Sequence, residues 1–206
     1  MVAFVVLAGV GASLFSNRTN TSTAIPKSAS AATGYGINFN PTAKVKLDLW
    51  EDFQCPNCKN FEAVNDSYIK NLVTSGKANV TYHSMSFIGP ESILAAAASG
   101  CAADAGKYLE FHTALYANQS TKENSGLWNK EVLTILGKGV GITDKTFEKC
   151  ISSGKYENWT GNIEADAAKK NVNSTPTVFV NGKLMPSENY LDNKKFAAYL
   201  TAAGVK

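Results

Sequence analysis

Val45-Lys46-Leu47-Asp48-Leu49-Trp50-Glu51-Asp52-Phe53-Gln54-Cys55-Pro56-Asn57-Cys58 sets the architecture of this chain. Leu47 and Leu49 alternate with polar neighbours, and the run continues through Trp50 to Phe53, the pattern of a strand entering a core. Pro56 follows at a position where a helix tolerates proline, its first turn. Residues 57–72 then continue as a helix. Two cysteines three residues apart therefore stand where a strand ends and a helix begins. Unpaired backbone N–H groups and the helix dipole favour an anion there. The thiolate is the reactive form of cysteine, and this setting lowers its pKa. Cys55 is expected to be the exposed nucleophile and Cys58, one turn inside, the buried resolving thiol, with Pro56 and Asn57 forming the loop between them.

Two other readings of the pair stand beside this one. Half of a zinc site needs two further ligands at close range. No second Cys-x-x-Cys exists, His83 and His112 are isolated, and Cys101 and Cys150 fall in helical segments. A purely structural Cys55–Cys58 disulfide is the other alternative.

Outward from this junction, residues 79–87 read as a second strand. From 90 to 170 strand signals vanish, and helices are expected at 91–103, 107–117, 127–136, 144–151 and 157–170, with Thr143 as a helix cap. Strand texture returns at 177–180. Asn181-Gly182 and an apolar run to Met185 follow, a strong hairpin signal. A helix at 193–203 closes the chain. Ser174-Thr175-Pro176-Thr177 precedes the hairpin. Its X–Pro bond can be cis at modest cost; a trans proline entering a strand is the alternative, and the company of Cys-x-x-Cys turns the expectation to cis.

Residues 2–15 form an almost unbroken apolar run, shorter than the roughly 17–25 residues of a membrane helix and suited to the core of a secretory signal. A buried strand or helix is the alternative. Residues 16–34 are rich in Asn, Thr, Ser and Ala and read as a flexible linker. Segment 1–15 is thus expected to be a signal or membrane anchor. Ala29-Ser30-Ala31 resembles a cleavage site but lies far from the apolar run, which favours a retained anchor. The 206 residues, 44% apolar and 18% charged, bury enough to fold without staples. Any disulfide is then functional or supplementary. A net charge of +3, with no Lys/Arg cluster interleaved with aromatics, argues against nucleic acid as a partner.

With these residues in view, the chain resembles the DsbA-like thiol-disulfide oxidoreductases of the thioredoxin superfamily, in their exported bacterial form. The resemblance rests on residues 51–58, on Gly106-Lys107-Tyr108-Leu109-Glu110-Phe111-His112, on Phe147-Glu148-Lys149-Cys150, and on Thr175-Pro176-Thr177-Val178-Phe179-Val180-Asn181-Gly182-Lys183. It implies an α/β thioredoxin fold, residues 35–89 and 171–206, interrupted by an inserted helical domain, residues 90–170. It also implies a cis Thr175-Pro176 bond against Cys55, pairing of the Thr175 backbone with a substrate strand, and a helical lid with an apolar groove. No metal or organic cofactor is implied. The implied partners are exported proteins with free cysteines and a membrane protein that reoxidises the pair, with the chain itself a monomer.

Three departures bear on the chemistry. Asn57 stands where the best-known members have His, which affects oxidising strength. Leu49 stands where many relatives carry an acid; Asp48 and Glu51 are the candidate proton acceptors in its place, or else ordinary polar residues at a strand end. Ser174 stands where Gly is common. Several relatives join two insertion helices by a structural disulfide, the role this assigns to Cys101 and Cys150; two separate thiols or a second redox pair are the alternatives. Closing a loop of about fifty residues is worth roughly 4 kcal/mol in the chain-entropy model. His112 is expected to pack or cap within its helix. The implied activity is donation of disulfides outside the cytoplasm. The rivals are a reductase or isomerase, and a chaperone-like binding protein with a static disulfide.

Overall fold

Strand β2 (Lys46–Asp52) ends in four consecutive buried residues, Leu49 to Asp52, the first of which has no exposed surface. A strand covered on both faces belongs at the middle of a sheet, and that is its place in a computed structural model describing residues 22–206. Helix α1 (Pro56–Thr74) carries the chain from β2 to β3 (Asn79–Met85), which pairs parallel to β2. A short β1 (Ile37–Phe39) lies antiparallel against the far edge of β3. Strand β4 (Thr177–Val180) lies antiparallel on the other side of β2 and turns into β5 (Lys183–Leu184). The sheet order is β1-β3-β2-β4-β5. The β4–β5 turn needs two consecutive residues at positive φ, and Asn181 at 51° and Gly182 at 75° supply them.

Between β3 and β4 the chain is helical: α2 (Pro90–Asp104), α3 (Tyr108–Ala117), α4 (Lys130–Gly139), α5 (Lys145–Ser152) and α6 (Glu157–Lys169). Helix α7 (Asn193–Ala202) closes the chain against α1. There Phe61 meets Tyr190 and Phe196 edge to face, at 5.7 and 5.6 Å between ring centres. Burying each such ring stabilises the fold by about 1.5–3 kcal/mol. Asp144, not Thr143, caps α5 by accepting from Thr146 N at 2.8 Å.

The composition of residues 16–34 predicts a flexible linker, yet residues 22–34 are fixed against the helical block. Ser22 Oγ donates to Lys155 O, and Lys27 N to Asp104 Oδ1, each at 2.9 Å. Pro26 lies so close to Gly100 that a side chain there would collide with it. Backbone hydrogen bonds and small-residue contacts hold this strap, and composition does not register either. The expected signal or anchor, residues 1–15, lies outside the described residues. Among the described residues no helix is long and apolar enough to cross a membrane.

Candidate active site

Cys55 is the N-cap of α1 and Pro56 opens its first turn. The Thr175-Pro176 bond is cis and lies against the cysteine: Cys55 Sγ donates to the Thr175 carbonyl oxygen at 3.3 Å. A cis X–Pro bond turns the chain sharply just before β4, and that strand's register with β2 brings Thr177 opposite Trp50. Tyr190 secures the same segment, its hydroxyl accepting from Val178 N at 3.0 Å and donating to Met185 O at 3.2 Å. Thus two loci far apart in sequence meet through sheet register.

The two sulfurs have opposite environments. The Cys58 thiol donates to Cys55 Sγ and pulls the Cys55 pKa from 9.0 to about 6; burial opposes this, and Thr175 and the N–H groups of Cys58 and Asn57 add to it. Burial pushes the Cys58 thiol well up, helped by its bond to Cys55 and by the charge of Glu51. The Thr175 hydroxyl is buried without a partner at ordinary hydrogen-bond geometry, yet it acts on both sulfurs. An unpaired donor beside the sulfurs is suited to a thiolate acceptor. The sequence predicts an exposed Cys55; it is instead buried, with 7% of its surface accessible against 0% for Cys58. The Thr175 loop covers it.

The candidate proton acceptors diverge because side chains alternate along β2. Asp48 lies on the opposite face of β2 from Glu51 and pairs with His83 Nε2 at 3.4 Å; it is not among the groups that act on the two sulfurs. Glu51 faces α1 and α3, where Glu51 Oε2 meets His112 Nε2 at 3.1 Å and Glu62 is the nearest acid. Burial pushes Glu51 up to about 8, against its bond with Glu62. His112 therefore does not serve its own helix, as its isolation in sequence suggests, but joins β2 to α1. Glu51, Glu62 and His112 bring their donor-type atoms within 4.8 Å of one another.

Three supporting residues were assigned no role from sequence, although Asp52 and Gln54 lie within the stretch that carries the resemblance. Asp52, fully buried, accepts from Gln54 N at 2.9 Å, Ser92 Oγ at 2.6 Å and Ile88 N at 3.3 Å. Burial pushes its pKa up to about 6 against those bonds. It ties the cysteine loop to α2. Gln119 Nε2 donates to Phe53 O at 2.9 Å and Cys55 O at 3.0 Å, and so fixes the same loop from the end of α3. Gln54 bonds Ser92 and Asn124. Away from the site, Cys101 of α2 and Cys150 of α5 form a disulfide.

The family model described as Thioredoxin matches residues 34–201. Disulfide bond formation protein D of Bacillus subtilis (strain 168) is 25% identical over 156 residues, 73% of this chain and 68% of that protein. The structure of MdbA, a thiol-disulfide oxidoreductase from Actinomyces oris, superposes with a TM-score of 0.75 at 20% identity, covering 86% of this chain and 92% of that one. Oxidised DsbA of Mycobacterium tuberculosis superposes at 0.65 with 25% identity, covering 82% and 90%. With its fold, its Cys-x-x-Cys helix start and its cis-proline loop, the chain belongs to the thioredoxin family, in its DsbA-like branch of thiol-disulfide oxidoreductases.

Proposed function

We propose that this protein is an extracytoplasmic oxidase that donates disulfides to exported proteins through Cys55 and Cys58. The observation that carries the reading is the asymmetry of the two sulfurs at the start of α1, one thiol drawn down to about 6 and the other pushed well up. In the oxidised protein a substrate thiolate attacks Cys55 Sγ. The Cys55–Cys58 bond breaks as the mixed disulfide forms, and Cys58 leaves and takes a proton. The second substrate thiolate then attacks the substrate sulfur, and Cys55 departs as a stable thiolate. Two electrons pass to the enzyme. One proton stays on Cys58 and the other is released.

A thiolate stabilised this way is a good leaving group and stabilises the reduced form, which makes the oxidised form a donor. Asn57 makes no side-chain contribution to this, so the Cys58 thiol, Thr175 and the helix start do the work. Glu51, whose charge acts on Cys58, exchanges a proton with it in this reading. Backbone pairing of an extended substrate at Thr175 and resetting of the pair by a membrane partner complete the cycle. The two sulfurs need no metal or organic cofactor, and one chain suffices. The Cys101–Cys150 bond is structural in this reading.

The reduction potential tests the direction: a value near about −120 mV is expected, one near about −270 mV makes the protein a reductase, and one below about −300 mV makes the bridge static. Cys58→Ala expressed in cells is expected to accumulate mixed disulfides through Cys55. Absence of adducts would favour a binding protein.

A further inference from the structure

Glu62 and His112 have no part in the exchange step, yet both are held in the core, 5% and 1% exposed. Burying ionisable groups is costly unless their partners are also inside. Here the partners are one another. His112 Nε2 meets Glu51 Oε2 at 3.1 Å, while His112 Nδ1 lies 3.5 Å from Glu62 Oε2 without a hydrogen bond to it. Glu51 Oε1 and Glu62 Oε1 have no hydrogen-bond donor among the protein groups. Two carboxylates cannot satisfy each other unless a proton lies between them. A shared proton, with Glu62 donating and Glu51 accepting, meets the need of both and agrees with the direction in which each acts on the other.

The cluster has two ends. Glu51 is near enough to Cys58 for its charge to act on the sulfur. Glu62 lines a groove of about 230 Å³ between α1 and α3, with Asp66, Thr113 and Tyr116 among its walls. At its rim Lys70 pairs with Asp66 at 3.0 Å and bonds Thr113. The other titratable groups facing the cluster are Cys55 at the N-cap of α1, Cys58, Asp66 and Lys70 of α1, Tyr82 of β3, and Tyr108 and Tyr116 of α3. The three phenols are pushed well up by burial and stay neutral.

We propose that Glu51, His112 and Glu62 form one proton-holding cluster that carries the Cys58 proton between the sulfur and the groove, with Glu62 as its solvent-side member. This rests on the exchange reading above. During reoxidation, the Cys55 thiolate attacks an oxidant disulfide and one oxidant thiolate leaves. Cys58 gives its proton to the ionised form of Glu51, which a pKa of about 8 leaves partly populated near neutral pH, and attacks Cys55 Sγ. The Cys55–Cys58 bond forms and the second oxidant thiolate leaves, with two electrons passed to the oxidant. The cluster then releases one proton at Glu62. The imidazole supports both directions, because in either tautomer one ring nitrogen donates while the other accepts.

The test is stopped-flow reoxidation of the reduced protein by glutathione disulfide, in weak and strong buffer and across the neutral pH range. Glu62→Ala is expected to slow the step that closes the Cys55–Cys58 bond by roughly ten- to hundredfold in weak buffer. Added formate, small enough for the vacated space, is expected to restore much of that rate. Glu62→Gln keeps the volume and is expected to be as slow without rescue by formate. A Glu62→Ala rate and pH profile matching the wild type would overturn the proposal, as would slowing that formate leaves untouched. One equivalent of Zn²⁺ retained by the purified reduced wild type and lost in Glu62→Ala would overturn it too, by making the three groups a metal site. A wild type whose thiols do not exchange sinks the exchange reading; a wild type that exchanges while Glu62→Ala keeps pace sinks this inference alone.

Discussion

Cys55 and Cys58 sit where a helix begins, under a proline loop, with one sulfur stabilised as an anion and the other kept neutral. Cys101 and Cys150 join two helices that pack on each other anyway, 49 residues apart in sequence and 5.9 Å apart between Cα atoms. In the proposed function the same element serves two purposes because its surroundings differ. A disulfide is reactive where the protein stabilises the thiolate it yields on opening, and structural where its main effect is on the unfolded chain.

The largest effect is expected at the first pair. Cys55→Ser removes the attacked atom and is expected to lower disulfide exchange at least a thousandfold in a reduced-substrate oxidation assay. The double variant Cys101→Ala/Cys150→Ala is expected to keep the rate within a fewfold. If the double variant lost exchange as completely, the second pair would be redox-active and the contrast would fail.

Stability is expected to respond in the opposite order. The same double variant is expected to lose about 2–4 kcal/mol in urea unfolding, the usual range for a bridge closing a loop of this length. Reducing Cys55–Cys58 is expected to stabilise the protein instead. The Cys55 pKa is depressed on folding, so its contribution is full above the ordinary value of 9.0, shrinks as pH falls, and is gone below about 6. A reduced form less stable than the oxidised one at neutral pH would contradict the assigned thiolate.

A smaller effect is expected for Glu51→Gln. The folded pKa of Glu51 is raised from 4.5 to about 8. Its contribution is therefore intact below 4.5 and is lost as pH rises towards about 8, since only the unfolded chain ionises freely in that window. Glu51→Gln is expected to flatten this decline and to unfold at higher urea than wild type near neutral pH, while slowing the steps in which Cys58 exchanges its proton. Equal slopes of stability with pH in the two proteins would remove Glu51 from the site.

What could be read from sequence was what short-range chemistry controls. The β2–α1 junction is legible because a strand pattern stops at Gln54 and Pro56 starts a helix. The hairpin is legible because Asn181-Gly182 tolerates positive φ. The disulfide was an expectation from family resemblance, since spacing alone cannot pair cysteines, whereas the cis bond was already expected from the company of Thr175-Pro176 and Cys-x-x-Cys. The proton cluster was legible only at Glu51. Glu62 belongs to no motif in the sequence, and His112 reads as a lone histidine, until packing of α1 and α3 brings both to Glu51 of β2. Gln119 was out of reach for the same reason. Strand β1 has three residues, too few for a period, and the strap at residues 22–34 is held by the Ser22 hydroxyl, the Lys27 main chain and Pro26 against Gly100, none of which composition registers.

The smallest effect concerns what makes Cys55 the anionic member. Its depressed pKa has the Cys58 thiol as its largest cause, with Thr175 behind it. Thr175→Val keeps the shape of the side chain and removes a hydroxyl that has no other partner. The Cys55 titration, followed by alkylation rate against pH, is expected to move upward in Thr175→Val and further upward in Cys58→Ala. At pH 6 this reads as a fewfold loss of alkylation rate in the first variant and a larger loss in the second, because the rate follows the thiolate fraction. Cys101 and Cys150 have no such partner hydroxyl at a helix start, so no equivalent variant exists for them. If Thr175→Val left the titration in place while Cys58→Ala moved it, the anion would be held by its own helix alone, and the proline loop would serve only to receive the substrate.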